Sequence, residues 1–311
     1  MASNDSIDGN GIVPMKLDGN AAASSIKADI ARRVKALNEQ GVKVGLGTLM
    51  VGDDPASMRY VNGKHRDCAD VGIVSIRSEL PAFATTEEVL AEVRTMNADP
   101  DITGFITQLP LPAKVDEQAV VKAMDASKDA DGLQPENLGA LMLDVDGTGS
   151  YPRPCTPAGI VKLLEMNGIS LNGMDVCLIG RGITAGRPLA ALLTSKAVNA
   201  TVDICHTGTE NLIDHIREAQ VVISAVGSEW FIKPDWIASD AILVDVGVSR
   251  VMGEDGKYHV HGDFHPYCRS VCAAYTPNPG GIGPMTRAML LENVVSIAER
   301  NHAEDADSMN G

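Results

Sequence analysis

The strongest constraint on the fold is a repeated alternation between helical patterns and short apolar runs. The spacing of apolar residues between positions 26 and 37 predicts a helix, and residues 44–52 then form a buried-strand pattern. A helix after residue 85 is predicted by the capping-box pair Thr85 and Glu88. Two further strand patterns flank this helix, at residues 73–80 and 104–110. Such alternation is typical of an α/β fold with a parallel sheet.

The alternation restarts after a proline-rich stretch at residues 151–157, where we place a domain boundary near Tyr151 to Thr156. A helix is predicted at residues 158–168. Four strands follow, at residues 175–180, 201–205, 221–227 and 241–248, with helices between the first three. The chain of 311 residues therefore contains two α/β domains.

Composition excludes two classes of binding protein. The chain carries 26 basic and 41 acidic residues, which gives a formal charge of −15. This excess argues against general binding of nucleic acid or of anionic membranes. The apolar runs are also far shorter than a membrane span, so no membrane association is expected.

The six cysteines are scattered without a C-x-x-C pair, which predicts reduced, mostly buried thiols. Residues 1–11 lack a basic segment followed by an apolar one, so we expect a cytoplasmic protein. Both ends, residues 1–11 and 301–311, are small, polar and acidic, and we predict that they are disordered tails.

Residues 175–193 have the pattern of a strand, a glycine turn and a helix, with Gly180, Gly182 and Gly186 in the turn. Such a turn lets the backbone approach a phosphate, and the helix presents its positive N-terminus to it. A glycine turn of this kind can also serve only the packing of the helix against the strand. The surrounding α/β context favours a dinucleotide site.

The next strand bears on the choice of cofactor. Sites for NAD carry an acidic residue near the end of this strand, but here it ends in Cys205, His206 and Thr207. Arg181 can contact a ribose phosphate, and Arg187 is either a second contact or a surface arginine. NADP is therefore favoured over NAD.

Residues 259–268 bring three histidines and a cysteine close together, at His259, His261, His265 and Cys268. Their spacing matches no standard zinc finger or ribbon, so we expect no metal site.

Tyr60 and Lys64 are four residues apart in the predicted helix 55–71 and so share one face. A solvated helix face explains the pair as well as an active site does. Three other segments favour an active site, because Gln108 ends a strand, Asp131 lies in a glycine-bearing loop, and residues 276–286 are rich in proline and glycine before a helix.

The sequence resembles the bifunctional methylenetetrahydrofolate dehydrogenase/methenyltetrahydrofolate cyclohydrolase family over nearly the whole chain. The matching stretches are VGDDPASMRYVNGK, TQLPLP, KDADG, PCTPAG, GRGITAGRP, CHTGT, VDVGV and TPNPGGIGPMT. The resemblance implies two α/β domains around a cleft, the second a Rossmann-type dinucleotide-binding domain, and a homodimer formed through that domain. We expect a folate-binding catalytic domain at 1–153, an NADP-binding domain at 154–283, and a C-terminal helix with its tail at 284–311.

The resemblance also implies the functional residues. The chain would oxidise 5,10-methylenetetrahydrofolate with NADP and hydrolyse the product to 10-formyltetrahydrofolate. Lys64, Tyr60, Gln108 and Asp131 would be catalytic, and tetrahydrofolate derivatives would contact Tyr60, Gln108, Asp131, Pro279, Gly280 and Gly281. The cofactor contacts would be Gly180, Arg181, Gly182, Thr207 and Val248.

Two positions depart from the family pattern. The turn usually reads G-R-S, whereas Gly182 and Ile183 follow Arg181 here, so a serine hydroxyl is lost. Asn278 replaces an apolar residue. Two other hypotheses are a dehydrogenase without cyclohydrolase activity and a catalytically silent NADP-binding regulatory protein. The presence of Lys64 and its three partner residues counts against both.

Overall fold

The computed structural model describes residues 13–253 and 255–310, apart from a few helix side chains. Its helices are α1 Gly19–Glu39, α2 Pro55–Val71, α3 Thr86–Ala98, α4 Glu117–Ala123, α5 Pro135–Leu143, α6 Cys155–Met166, α7 Gly186–Leu193, α8 Leu212–Glu218 and α9 Ile282–Asn310. Its strands are β1 Met15–Lys16, β2 Gly45–Val51, β3 Val74–Leu80, β4 Gly104–Thr107, β5 Asp175–Ile179, β6 Thr201–Cys205, β7 Val221–Ser224, β8 Ile242–Asp245, β9 Ser249–Met252, β10 Tyr258–His261 and β11 Ala274–Tyr275. The strands and helices predicted from the apolar patterns are confirmed.

The described residues form two compact units. The first unit comprises residues 23–140, 150–155 and 287–310, and the second comprises residues 13–22, 141–149 and 156–286. Each unit is thus assembled from separate stretches of chain. This division differs from the three consecutive segments expected from the sequence, because residues 13–22 and 141–149 belong with the later part of the chain.

The first unit is built on a three-stranded parallel sheet in the order β3-β2-β4. All seven residues of the central strand β2 are buried, as expected for a parallel strand that is covered on both faces. α3 begins with the predicted capping box, in which the Thr85 side chain accepts a hydrogen bond from the Glu88 backbone. A core of Leu49, Val93 and Phe105 packs between the sheet and this helix.

The second unit contains a six-stranded parallel sheet in the order β1-β11-β8-β7-β5-β6. The edge strand β1 comes from the N-terminal stretch, and Met15 pairs with Ala274. This pairing explains why residues 13–22 belong to the second unit. Strands β9 and β10 form a separate antiparallel pair.

For α9, the predicted burial is confirmed, but the predicted end of the helix is wrong. Met285, Met289 and Val295 are buried, and Pro284 lies in the first turn, as predicted. The helix continues to Asn310, however, through most of the segment predicted as a disordered tail. Alanine and glutamate are good helix formers, so polarity alone did not end the helix. The predicted N-terminal tail, residues 1–11, lies outside the described residues.

α1 and α9 are joined within the first unit by one arginine. The guanidinium of Arg33 donates to Glu292 at 2.7 Å and to both oxygens of Glu299 at 2.8 and 2.9 Å. Hydrogen bonding to Glu299 is the main reason that the pKa of Arg33 is raised, which shows that its charged form is favoured. Paired bonds of this kind fix both distance and orientation.

Replacing Arg33 by methionine should therefore destabilise the first unit. We expect the free energy of unfolding to fall by roughly 1–2 kcal/mol, less than for a fully buried charged hydrogen bond because these groups are partly exposed. Urea denaturation measures this loss. Lys35→Met is the control, since Lys35 lies on the same helix in an exposed pair with Glu39. Equal losses in the two variants would contradict the role of Arg33.

Candidate functional site

α2 brings Tyr60 and Lys64 together in the first unit. The Lys64 amine lies 4.6 Å from the centroid of the Tyr60 ring, which is partly exposed. Lys64 itself is only 6% exposed, so the pair is not a solvated helix face. The structure thus excludes the simpler of the two interpretations of this pair.

Gln108 follows strand β4 and supplies the hydrogen-bond partner of the lysine. The Lys64 amine donates to Gln108 Oε1 at 3.2 Å. The amide of Gln108 is oriented by its own Nε2, which donates to the Leu109 carbonyl at 2.8 Å. Because Nε2 is occupied by a carbonyl, the oxygen is the atom that faces Lys64.

Burial is the largest influence on the Lys64 amine and lowers its pKa from the ordinary value of 10.5. The Asp131 carboxylate and the Cys155 thiol act in the opposite direction, and the Arg287 cation lowers the pKa further. Burial also raises the pKa of the Tyr60 phenol, with a further contribution from Asp131. The phenol therefore stays protonated, while the amine loses its proton more easily than an exposed lysine does.

Asp131 lies in a loop that is organised by a residue not identified from the sequence. Asp129 is buried, and its carboxylate accepts bonds from the backbone of Asp131 and Gly132 at 3.2 and 3.0 Å. It also accepts a bond from the backbone of Gln134 at 2.8 Å. The KDADG stretch contains both acids, and only the three-dimensional structure distinguishes the acid that holds the loop from the partly exposed one, Asp131.

A second set of residues absent from the sequence-based prediction surrounds Lys64. Asp67, one turn further along α2, contacts Lys27 at 2.9 Å and Arg287 at 3.0 Å. The Arg287 guanidinium lies where a side chain on Gly63 would be, with Nη1 2.6 Å from that position. Gly63 thus lets a cation approach the helix backbone directly beside Lys64.

In the second unit, the glycine turn after β5 has the predicted form. Gly180 has a φ of +121°, and a side chain on Gly186 would lie 2.3 Å from the Gly180 carbonyl oxygen. Both glycines are therefore required by the turn itself. Gly182 differs, because no atom of the other described residues, its two chain neighbours apart, lies within 4 Å of the position of a side chain there. Its surroundings are open to a ligand.

The exposed residues of this turn lie next to the end of β6. Gly180 donates its backbone N–H to the Cys205 carbonyl at 2.9 Å, which brings the turn beside His206 and Thr207. Arg181, Arg187 and Thr207 are exposed. The acid of this strand, Asp203, contacts His215 at 2.9 Å two residues before the strand ends.

Val248 and the segment Pro279–Gly281 also belong to the second unit. Val248 follows β8 and is 61% exposed. Gly280 has a φ of +106°, and a side chain on Gly281 would lie 2.6 Å from the Pro277 carbonyl oxygen. Gly19 was not predicted from the sequence, and a side chain there would overlap the Gly281 carbonyl. Close packing thus already requires Gly19 and Gly281, and the left-handed backbone conformation requires Gly280.

The histidine-rich segment does not gather metal ligands. Within residues 13–253 and 255–310, no group of three or more His, Cys, Asp or Glu residues is arranged to hold a metal ion. Cys268 instead donates its thiol to the Ile232 carbonyl at 3.5 Å in the core.

Two family models match the two parts of the chain. Residues 17–131 match "Tetrahydrofolate dehydrogenase/cyclohydrolase, catalytic domain", and residues 154–302 match the "NAD(P)-binding domain" of the same family. The chain belongs to the tetrahydrofolate dehydrogenase/cyclohydrolase family. The family, the α/β fold class and the assignment as an enzyme of this kind, all predicted from the sequence, are confirmed.

Solved structures agree with this assignment. The bifunctional enzyme FolD from Campylobacter jejuni is 37% identical with a TM-score of 0.86, and the match covers 92% of this chain and 99% of that one. The dehydrogenase-cyclohydrolase from Trypanosoma brucei, solved with NADP and an inhibitor, is 32% identical with a TM-score of 0.86 over 93% and 98%. The bifunctional enzyme from Thermoplasma acidophilum is 27% identical with a TM-score of 0.83 over 93% and 99%.

In this dehydrogenase/cyclohydrolase, replacing the charged residues around Lys64 should shift the pKa of its amine. Replacing Arg287 by methionine removes a cation that disfavours the ammonium form, so the pKa of Lys64 should rise. Asp131→Asn removes a favourable anion, so that pKa should fall. NMR titration of labelled lysine side chains measures both shifts, with Lys64→Met to assign the signal. Arg287→Lys, which keeps the cation, is the control, and an unchanged pKa in Arg287→Met would contradict the proposed influence.

Proposed function

We propose that this enzyme oxidises 5,10-methylenetetrahydrofolate to the 5,10-methenyl cation with NADP and hydrolyses that cation to 10-formyltetrahydrofolate. One observation carries the proposal: a buried lysine of lowered pKa is held by Gln108 and Tyr60 within a domain that matches the family's catalytic domain. A buried amine of this kind suits proton transfer to and from a bound substrate.

In the oxidation, bound NADP supplies the acceptor for the hydride that leaves the methylene carbon. The lone pairs of the two adjacent folate nitrogens stabilise the resulting cation, so the protein contributes chiefly orientation. The Tyr60 ring packs against the folate, and Lys64 with Gln108 positions it. No strong protein base is required for this step.

In the hydrolysis, neutral Lys64 takes a proton from the water that adds to the methenyl carbon. The carbon–nitrogen bond to N5 then breaks, N5 gains a proton as it leaves, and the hydroxyl on carbon loses one to become the formyl group. The sum is one water consumed and one proton released. Lys64 accepts the first proton and returns it to N5, and Gln108 orients its amine.

Asp131 binds the pterin in this proposal. A carboxylate can accept two hydrogen bonds from the neighbouring N–H donors of the pterin ring. Its partly exposed side chain and the support that Asp129 gives to its loop are consistent with this role. Pro279, Gly280 and Gly281 provide further substrate contacts through the backbone.

The cofactor is NADP, held by Gly180, Arg181, Gly182, Thr207 and Val248. The open surroundings of Gly182 allow a phosphate to approach the backbone, which supports this assignment. The strand end beside Thr207 has no carboxylate to repel a ribose phosphate, because Asp203 lies earlier in β6 beside His215. Arg181 provides the charged contact.

One assay tests the whole proposal. The protein is incubated with methylenetetrahydrofolate and NADP while the methenyl absorbance and its decay are followed. The proposal requires both a rise and a decay faster than in buffer. A rise in methenyl absorbance without enzymatic decay would indicate a dehydrogenase that lacks cyclohydrolase activity. The absence of a rise would indicate a protein that binds NADP without catalysing the reaction.

We also propose a cytoplasmic homodimer. The edge strand β6 exposes 46% of Ile204, which supports association of two copies there. The six cysteines are buried free thiols, in keeping with a reducing compartment, and cell fractionation tests this location. No helix within the described residues is long and apolar enough to cross a membrane.

Lys64→Met should separate the two activities. Methionine cannot exchange protons, so hydrolysis should fall by about 10²–10⁴-fold while oxidation is partly preserved. The measurement is the ratio of the two rates, corrected for spontaneous hydrolysis in the same buffer. Asp131→Ala is the matched control, because loss of pterin binding should lower both rates together. An unchanged ratio in Lys64→Met would mean that this lysine only binds substrate.

Arg181→Ala should weaken NADP much more than NAD. Loss of a charged hydrogen bond costs about 1.5–3 kcal/mol, and NAD lacks the phosphate that makes this bond. The binding constants of both cofactors are measured by calorimetry, with Arg187→Ala testing the second candidate contact. Equal losses for NADP and NAD would refute the assignment of Arg181.

Ile204→Lys should weaken the dimer, because a charge replaces apolar surface on the edge strand. Light scattering across a dilution series gives the molar mass, which halves when the dimer dissociates. The variant is expected to dissociate at a higher protein concentration than the wild type. Val260→Lys, on the separate strand β10, is the control. A wild-type monomer, or a dimer unaffected by Ile204→Lys, would count against this interface.

A further inference from the structure

A cavity of about 270 Å³ lies in the second unit, beside the ends of β8 and β11. Its walls include Trp230, two residues of the histidine-rich segment, His261 and His265, and Arg269, which directly follows that segment. Asn278, whose departure from the family pattern has no role in the proposed reaction, also lines it. Two sequence features not used by the proposed function thus meet in one cavity.

One wall of the cavity is aromatic. The Trp230 ring stacks on His261 with centroids 4.7 Å apart, and His265 meets its edge at 5.5 Å. Trp230 has a φ of +48°, which is rare for a bulky residue. Its backbone is held by Gly262, whose carbonyl accepts the Trp230 N–H at 3.1 Å. Strain of this kind persists where surrounding structure enforces it, and it is concentrated at ligand sites.

The polar groups of the cavity provide donors for an anion. Arg269 uses its Nε to bind the Pro266 carbonyl at 3.0 Å, and its two terminal nitrogens have no hydrogen-bond partner among the described residues. His265 accepts the Tyr267 N–H through Nδ1, so its Nε2 carries the proton and is a donor. Both groups can therefore bind a carboxylate or a phosphate.

Two acids near the cavity have hydrogen-bond partners that offset their negative charge. Glu229 is paired with His261 at 2.5 Å. Asp245 accepts backbone bonds from Asp263 and Phe264, and burial raises its pKa to about 6. Asn278 donates to the Gly247 carbonyl at 2.7 Å, which leaves its side-chain oxygen as an acceptor. The charge of Arg269 is thus not cancelled by a direct carboxylate partner within the described part of the chain.

We propose that this cavity is a second ligand site, which binds a planar aromatic compound carrying one carboxylate or phosphate. The ring packs against Trp230, the anionic group binds Arg269 and His265, and Asn278 accepts a hydrogen bond from a ring substituent. The volume suits one or two fused rings, since it lies just below the usual range of ligand pockets. None of the residues assigned to folate or NADP lines this cavity.

Calorimetry with 2-naphthoate tests the proposal directly, without reference to catalysis. The protein is saturated with NADP so that the cofactor site is filled. Saturable binding with one site per chain is expected, and uncharged 2-naphthamide should bind about tenfold more weakly or worse because it lacks the charged hydrogen bonds. Binding that occurs only without NADP would place the compound in the cofactor site and overturn the proposal.

Two variants locate the binding. Arg269→Gln should weaken 2-naphthoate about tenfold or more, whereas Arg250→Gln, an exposed arginine on β9, should leave it unchanged. Trp230→Leu should weaken both the acid and the amide, with circular dichroism to verify folding. Because Arg269 is exposed, its replacement tests the site even if the tryptophan variant fails to fold. Absence of saturable binding, or binding unaffected by Arg269→Gln, would refute the second site.

Discussion

Burial of the Lys64 amine is the constraint on which the chemistry proposed for the first unit depends. An ammonium ion taken from water is disfavoured unless it is paired, and here the direct partner is the neutral amide of Gln108. The result is a lowered pKa and an amine that can change its protonation state. Tyr60 on the same helix and Gln108 at the end of β4 are placed beside the amine by regular secondary structure.

Residues distant in sequence set the electrostatics of that amine. Arg287 enters from α9 and is held by Asp67, while Gly63 leaves room for its guanidinium. The same helix is joined to α1 through Arg33 and its two glutamates. The C-terminal helix is therefore both a structural element of the first unit and a source of charge beside Lys64.

The second unit relies on backbone geometry more than on buried charge. Gly180 and Gly186 are needed for the turn to close. Packing within the described residues does not require a glycine at position 182. The same distinction applies near the TPNPGG segment, where close packing explains Gly19 and Gly281 without reference to a ligand. A glycine thus supports a binding role most strongly where packing does not already require it.

The sequence by itself determined the α/β class, the strands and helices, the family, and the Tyr60–Lys64 pair, because periodic apolar spacing and short motifs are local properties of the chain. Only the tertiary structure decided that β1 pairs with β11, that α9 extends to Asn310, and that Asp129, Asp67 and Arg287 surround the site. It alone also distinguished buried Lys64 from a solvated lysine. Burial and charge pairing depend on contacts between residues far apart in sequence, and no local spacing records those contacts.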